Sequence, residues 1–246
     1  MPARLFVVHG SHPCATVQRA LELKGIPYRL VELPASSQPL VMTPLFGRRT
    51  VPGIRFEDGV KVQGSRAILR ELERRAPEPA LFGAPEIGEA ERWGDEVLQP
   101  VPRRLLWTAF AADPAAMHGF QEGQRSPKLP MAVVKAAAKV ILPVERRMNG
   151  VTDEAVRADL AALPGMLDTV DAWIAAGVLG GAAPNAADLQ IGASLRLLAT
   201  MQDLRPLLAA HPAGALAARW FAPLPGTVAA GALPAAWLPP QPAAVA

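Results

Sequence analysis

Apolar positions change period several times along this chain. Arg4–His9 (RLFVVH) is a short β-rich run of the kind found in buried strands. Val17, Ala20 and Leu21 then share one helical face, with Pro13 suited to the first turn and Gly25 to the stop. Tyr28–Leu33 reads as a second strand and Ser36–Phe46 as a short helix plus loop. Val51–Phe56 and Val60–Val62 flank the turn signal Asp58-Gly59, which predicts a hairpin. Ser65 is placed to cap a helix over Arg66–Arg75, whose apolar face is Ile68, Leu69 and Leu72. Pro77–Pro85, with three prolines and Gly83, reads as a linker.

Beyond the linker the pattern is almost entirely helical. Glu86–Ala112 carries Trp93, Val97, Val101, Leu105 and Phe110 at helical spacing, with Pro100 and Pro102 expected to interrupt it. Asp113–Pro130 reads as a loop and Met131–Met148 as a helix. Thr152–Gly177 follows the 3.6-residue period with a break expected at Pro164-Gly165. Asn185-Ala-Ala-Asp188 is a capping-box variant before Leu189, Ile191, Leu195 and Leu198, so that helix is expected to be buried. The segment from Ala222 is rich in Pro, Gly and Ala and is expected to wrap the surface, anchored by Trp237. The expected domains are 1–76, a linker at 77–85, and 86–246.

Composition narrows the function. The formal charge of the 246 residues is only +3. Basic residues are scattered in pairs, with a single tyrosine in the chain, which argues against a nucleic-acid face. No apolar run approaches the roughly 18 residues needed to cross a bilayer, and the N-terminus enters a strand directly. The expectation is therefore a cytoplasmic protein with no membrane partner. One cysteine excludes an internal disulfide and fits a reducing compartment. His9 and His12 lack an acidic or cysteine partner, and the chain has no zinc-helix histidine pair and no CxxC, so no metal site is expected.

The chemistry concentrates at Ser11-His12-Pro13-Cys14, where the first strand ends and the first helix begins. Unpaired N–H groups and the macrodipole there favour a developing negative charge. Dithiol chemistry needs cysteine at both ends of such a turn. With Ser11 at the outer end, Cys14 reads as a small buried apolar residue. Trp107, Phe110, Met117 and Phe120 fit either an apolar pocket or the core.

Ser11-His-Pro-Cys-Ala-Thr-Val17 with Gly25-Ile-Pro-Tyr28, Thr50-Val-Pro-Gly-Ile54, Gly64-Ser-Arg-Ala-Ile68 and Asn185-Ala-Ala-Asp-Leu189 occur in the order and separations of one family. The chain resembles the cytosolic glutathione S-transferases, in their serine-type, bacterial form. The resemblance implies an α/β plus all-α protein: a thioredoxin-like N-terminal domain, then a helical C-terminal domain completing an acceptor site. It implies glutathione as co-substrate, a small-molecule electrophile as acceptor, and a homodimer. Ser11 takes the catalytic position, its hydroxyl favouring the bound thiolate. Val51-Pro52 takes the place of the cis-proline turn that pairs with the cysteinyl backbone, and Ser65 that of the γ-glutamyl carboxylate ligand. Many relatives carry Glu or Gln where this chain has Gly64. Arg48, Arg49 or Arg66 would then supply the missing pairing, Arg49 being the chosen candidate. Conjugation of the thiol stands beside two alternatives, thiol-dependent isomerisation or dehalogenation, and a binding or interaction module without transferase activity.

Overall fold

The computed structural model describes residues 2–240. Residue 1 and residues 241–246, the outer ends of the two expected domains, lie outside the described residues. The first domain runs β1 (Ala3–Val8), α1 (His12–Leu23), β2 (Tyr28–Leu33), α2 (Gln38–Phe46), β3 (Gly53–Arg55), β4 (Lys61–Gln63) and α3 (Ser65–Arg75). The sheet order is β2-β1-β3-β4. β1 and β2 are parallel, from Ala3 opposite Tyr28 to Val8 opposite Leu33, while β3 runs antiparallel to both β1 and β4. Alternate residues of β1 serve opposite faces. Leu5 and Val7 meet Val17, Leu21, Ile68, Leu69 and Leu72 of α1 and α3, whereas Phe6 meets Leu33 and Met42 of α2. The first hairpin strand is shorter than expected because Pro52, which has no N–H to give a ladder, keeps β3 from starting before Gly53, and the second is shifted by one residue.

The linker is held as firmly as a secondary-structure element. Lys24 has a fully buried side chain, and its Nζ donates to Glu73 Oε2 (2.5 Å) and to the carbonyls of Ala76, Pro77 and Pro79. Glu73 in turn accepts the N–H groups of Leu81 and Phe82. Prolines cannot donate, so the linker is fixed through its carbonyls.

The second domain comprises α4 (Pro85–Trp93), a π-helical turn (Gly94–Leu98), α5 (Pro100–Ala112), a 3-10 segment (Pro114–Gln121), α6 (Met131–Met148), α7 (Asp153–Ala175), α8 (Ala186–Leu198), α9 (Arg205–Ala209) and α10 (Ala213–Trp220). Three expectations need correction. The interruption of the first long helix lies before the prolines: Gln99 N–H closes a wide turn on Gly94 O (2.9 Å), and Pro100 enters at the start of α5, where its missing N–H costs nothing. A side chain at Gly94 would meet Ile191 Cγ1 at 2.8 Å, so the wide turn sits directly on α8. Secondly, α7 is continuous through Pro164-Gly165, because Leu160, Leu163, Leu167 and Val170 are fully buried on one face and packing outweighs one lost backbone bond. Thirdly, part of the loop expected over Asp113–Pro130 is the 3-10 segment, capped by the Asp113 carboxylate on Ala115 N–H.

α8 is the shared core helix, with every residue but Arg196 buried. The capping box is made as expected: Asn185 Oδ1 accepts from Ala187 and Asp188 N–H, and Asp188 Oδ2 from Asn185 N–H. Ala186, Leu189 and Ala193 join the apolar cluster of the first domain, while Ile191, Leu195 and Leu198 join that of the second. The Thr16 hydroxyl of α1 donates to Leu189 O (3.1 Å), tying the two domains through this helix. Trp107, Phe110 and Phe120 pack edge to face on one another, at 5.7 and 4.9 Å between ring centroids, as part of the second core. Val228 bridges to Met201, and Arg157 stacks on Trp237 at 4.6 Å. No helix among the described residues is long and apolar enough to cross a membrane.

Candidate functional site

Ser11 is the N-cap residue of α1, with an extended backbone and no capping bond from its side chain. Its C=O accepts the first helical N–H, from Ala15 (3.0 Å), and its own N–H reaches back to Val8 O (3.2 Å). The half-buried hydroxyl therefore stands at a helix N-terminus without a capping duty. Next to it, His12 is buried, and burial, helped by the charge of Arg103, lowers its pKa to about 3. The ring is neutral, and its Nε2–H donates to Gln99 O (3.0 Å). His12 thus ties α1 to the helical domain.

Burial pushes the Cys14 thiol up to about 11, against the smaller opposing effects of the Ser11 side chain, the Val8 carbonyl and Arg103. Cys14 is 1% exposed, and its burial favours the thiol over the nucleophilic thiolate at neutral pH. Arg103 lies beside this turn. Its Nη2 donates to Gln99 Oε1 (3.0 Å), it has no carboxylate partner among the described residues, and burial lowers its pKa.

A second cluster surrounds the start of α3. An open cavity of about 450 Å³ is bounded by Arg48, Gln63, Gly64, Ser65, Arg66 and Asp95, among others. The helix cap here is Gly64 rather than the expected Ser65. Gly64 has φ 92°, a region that favours glycine, and Ser65 is the first helical residue. The Ser65 hydroxyl, 2% exposed as a residue, approaches Asp95 Oδ1 at 3.4 Å. Asp95 also accepts from Gln99 Nε2 (2.9 Å) and Gln190 Nε2 (3.0 Å), while burial raises its pKa. Gln63 Nε2 holds the carbonyls of Arg48 and Thr50, but its buried Oε1 has no partner. Arg66 is engaged by Glu96 (2.8 Å) and Glu91 (3.3 Å).

The Val51-Pro52 peptide bond is cis. Pro52 O accepts Gly64 N–H (2.9 Å), which seats this loop against the start of α3. Val51 lies outside the strands, and neither its N–H nor its C=O is paired with another described residue. Val51, Pro52 and Ser65 are thus brought together, and a relay Ser65–Asp95–Gln99–His12 leads from the cavity to the residue after Ser11. Arg49 is turned elsewhere: its Nη2 donates to Met148 O (3.0 Å) at the end of α6, whereas Arg48 borders the cavity together with Arg66 and Arg70. This corrects the choice of Arg49, which the sequence could not distinguish from its neighbour. Asp95, Gln99, Arg103 and Gln190 were missed because all four come from the helical domain and belong to no local motif.

One cluster with metal-ligand chemistry exists among the described residues, Asp168, Asp171 and His211. Its geometry is accounted for by local structure. Asp171 accepts Ala213 N–H (2.7 Å) at the start of α10 and holds His211 Nδ1 (2.7 Å).

Residues 5–80 match the family model of the glutathione S-transferase N-terminal domain. No curated protein is a significant match to the sequence. Solved structures align over most of the chain. A glutathione transferase from Phanerochaete chrysosporium gives a TM-score of 0.62 at 17% identity, over 89% of this chain and 96% of that one. A beta-etherase from Sphingobium sp. strain SYK-6 gives 0.58 at 17%, over 90% and 89%. A theta class glutathione S-transferase from Xanthomonas axonopodis pv. citri, solved with glutathione bound, gives 0.55 at 17%, over 89% and 92%. At such identities the structural likeness establishes the fold, while activity has to be argued from the site.

Proposed function

We propose that this chain, whose residues 5–80 match the glutathione S-transferase N-terminal domain and which aligns with a glutathione transferase fold over 89% of its length, is a serine-type transferase adding the thiol of glutathione to a small apolar electrophile. The observation that carries the reading is the Ser11 hydroxyl, left without a capping bond at the start of α1 while the adjacent thiol, Cys14, is held protonated.

The residues suit the zwitterionic end of glutathione. A carboxylate fits the free N–H groups at the start of α3, the Ser65 hydroxyl and the Arg48 guanidinium. An ammonium fits the unpartnered Gln63 Oε1 and the Asp95 carboxylate, which compensates for glycine at position 64. The unpaired N–H and C=O of Val51 suit an extended peptide backbone, as an added strand would use them. Ser11 Oγ–H donates to the sulfur and stabilises the thiolate. The thiol proton leaves to solvent, and sulfur forms a bond to the electrophilic carbon as a leaving group departs from it with the bonding pair or, at an activated double bond, as the π pair shifts to the neighbouring atom and takes a proton from solvent. Proximity supplies much of the remaining rate.

A hydrogen bond to a charged group contributes about 1.5–3 kcal/mol, so Ser11→Ala should lower conjugation turnover by about 10- to 100-fold. Stability should be nearly unchanged, since the side chain caps nothing. Glutathione with a chromogenic electrophile provides the assay, and unchanged turnover removes Ser11 from the mechanism. Gly64 favours one other reading, a binding module without activity; absence of calorimetric binding at millimolar glutathione would select it. The homodimer and the cytoplasmic setting are parts of the same proposal, the first checked by sedimentation velocity.

A further inference from the structure

Among the described residues eight large apolar side chains are exposed, and five of them, Leu129, Met131, Val133, Val140 and Val144, fall in one short stretch. The inner face of α6, Val134, Ala138, Leu142 and Glu145, is buried. The opposite face repeats the helical spacing with Val133, Ala136, Val140 and Val144, and Val140 is 70% exposed. An ordinary surface helix has one apolar stripe. α6 has two, and one is uncovered.

The exposed charges of α6 itself have a single sign. Three of the five lysines in the chain are Lys128, Lys135 and Lys139, and Arg146 and Arg147 follow at the end of the helix. The only acid in α6, Glu145, is buried and accepts from the Ser36 hydroxyl (2.6 Å). Lys128 pairs with Glu122, and Arg146 lies 4.0 Å from Asp153. Lys135, Lys139 and Arg147 have no acidic partner among the described residues.

We propose that this face of α6 docks on an anionic lipid surface. The charge pattern selects the occupant. A second copy laid antiparallel on this face would gather Lys135 and Lys139 of both copies along one seam with no exposed acid of α6 to offset them, a like-charge arrangement. A folded protein partner is usually gripped by aromatic or arginine anchors in pockets, whereas this face is a convex ridge of valine and alanine. A bilayer surface accepts such a ridge, with lysine stems lying along the acyl boundary and their ammonium groups among anionic headgroups. The expectation of no membrane partner rests on the lack of a spanning helix, and surface docking does not require one. The proposal is independent of the thiol reading, because none of its residues lies on the cavity at α3.

The test is co-sedimentation of the full chain with phosphatidylcholine vesicles and with mixed phosphatidylglycerol–phosphatidylcholine vesicles. The chain should partition to the mixed vesicles at low salt and leave them at about 1 M salt, where the Debye length is about 3 Å. Each basic residue near an anionic surface is worth about fivefold in partitioning, so the double variant Lys135→Gln, Lys139→Gln should bind about 25-fold more weakly. Val140→Glu should also release the protein. Both variants alter exposed positions and should keep the wild-type thermal transition; if Val140→Glu does not, the lysine variant decides. Three results would overturn the proposal: no binding by the wild type, binding that neither variant weakens, or a wild-type dimer that Val140→Glu dissociates.

Discussion

Replacing Asp188 by Ala removes the acceptor in the first turn of the shared core helix. Asp188 Oδ1 takes Gly180 N–H (2.8 Å) and Trp220 Nε1–H (3.3 Å), and Oδ2 takes Asn185 N–H (3.1 Å). Alanine strands these donors in a place where the residue itself is 0% exposed. Two well-formed bonds and one long one, at about 1–3 kcal/mol per stranded group, would come to about 4 kcal/mol. Removing a carboxylate that burial disfavours returns part of this, leaving about 3 kcal/mol. Asp188→Asn keeps one acceptor oxygen but turns an amide towards the other donors, and should cost about half as much.

Urea unfolding followed by far-UV circular dichroism measures both variants, with an unchanged slope expected. Burial is the largest cause of the raised pKa of Asp188, so the folded state keeps this proton to higher pH than the unfolded chain. That contribution is complete below the unfolded value near 3.8 and is lost as pH rises through the folded pKa. The gap between wild type and Asp188→Asn should therefore narrow from about pH 4 upward. A loss below about 1 kcal/mol in Asp188→Ala, or equal losses in the two variants, refutes the reasoning.

Three other results are expected. Cys14, at about 11, should react with a thiol reagent at pH 8 only as fast as the chain opens, since the thiolate is about one part in a thousand there; rapid labelling of the native protein would contradict its burial. Lys24→Met leaves Glu73 facing three carbonyls without their cation, and should cost about 3–5 kcal/mol by thermal or urea unfolding. Arg48→Ala should weaken glutathione binding by about tenfold, the value of one charge-assisted contact, while Arg49→Ala should leave it unchanged in calorimetry.

Local chemistry made much of the architecture legible. Strand length in Arg4–His9, the Asp58-Gly59 turn and the Asn185–Asp188 box are short-range signals, and each holds in the fold. Local motifs also single out Ser11, Val51-Pro52 and Ser65 as candidates. Local rules failed where packing competed with them. Pro164 should end a helix, yet four buried side chains keep α7 continuous. Ser65 is a better capping residue than glycine, yet the cap must take φ 92°, which Gly64 adopts without strain.

What the sequence determined by itself was the order of elements, the serine at the outer end of the turn, and the absence of a dithiol. These follow from residue type and spacing within a few positions of one another. Tertiary structure alone decided that Arg48 rather than Arg49 meets the cavity, and that Asp95 lines it from the second domain. It also decided that Cys14 is buried and that one apolar stripe of α6 is left bare. Each of these depends on which faces become buried when residues about ninety positions apart, such as His12 and Gln99, come into contact, and no spacing along the chain encodes that.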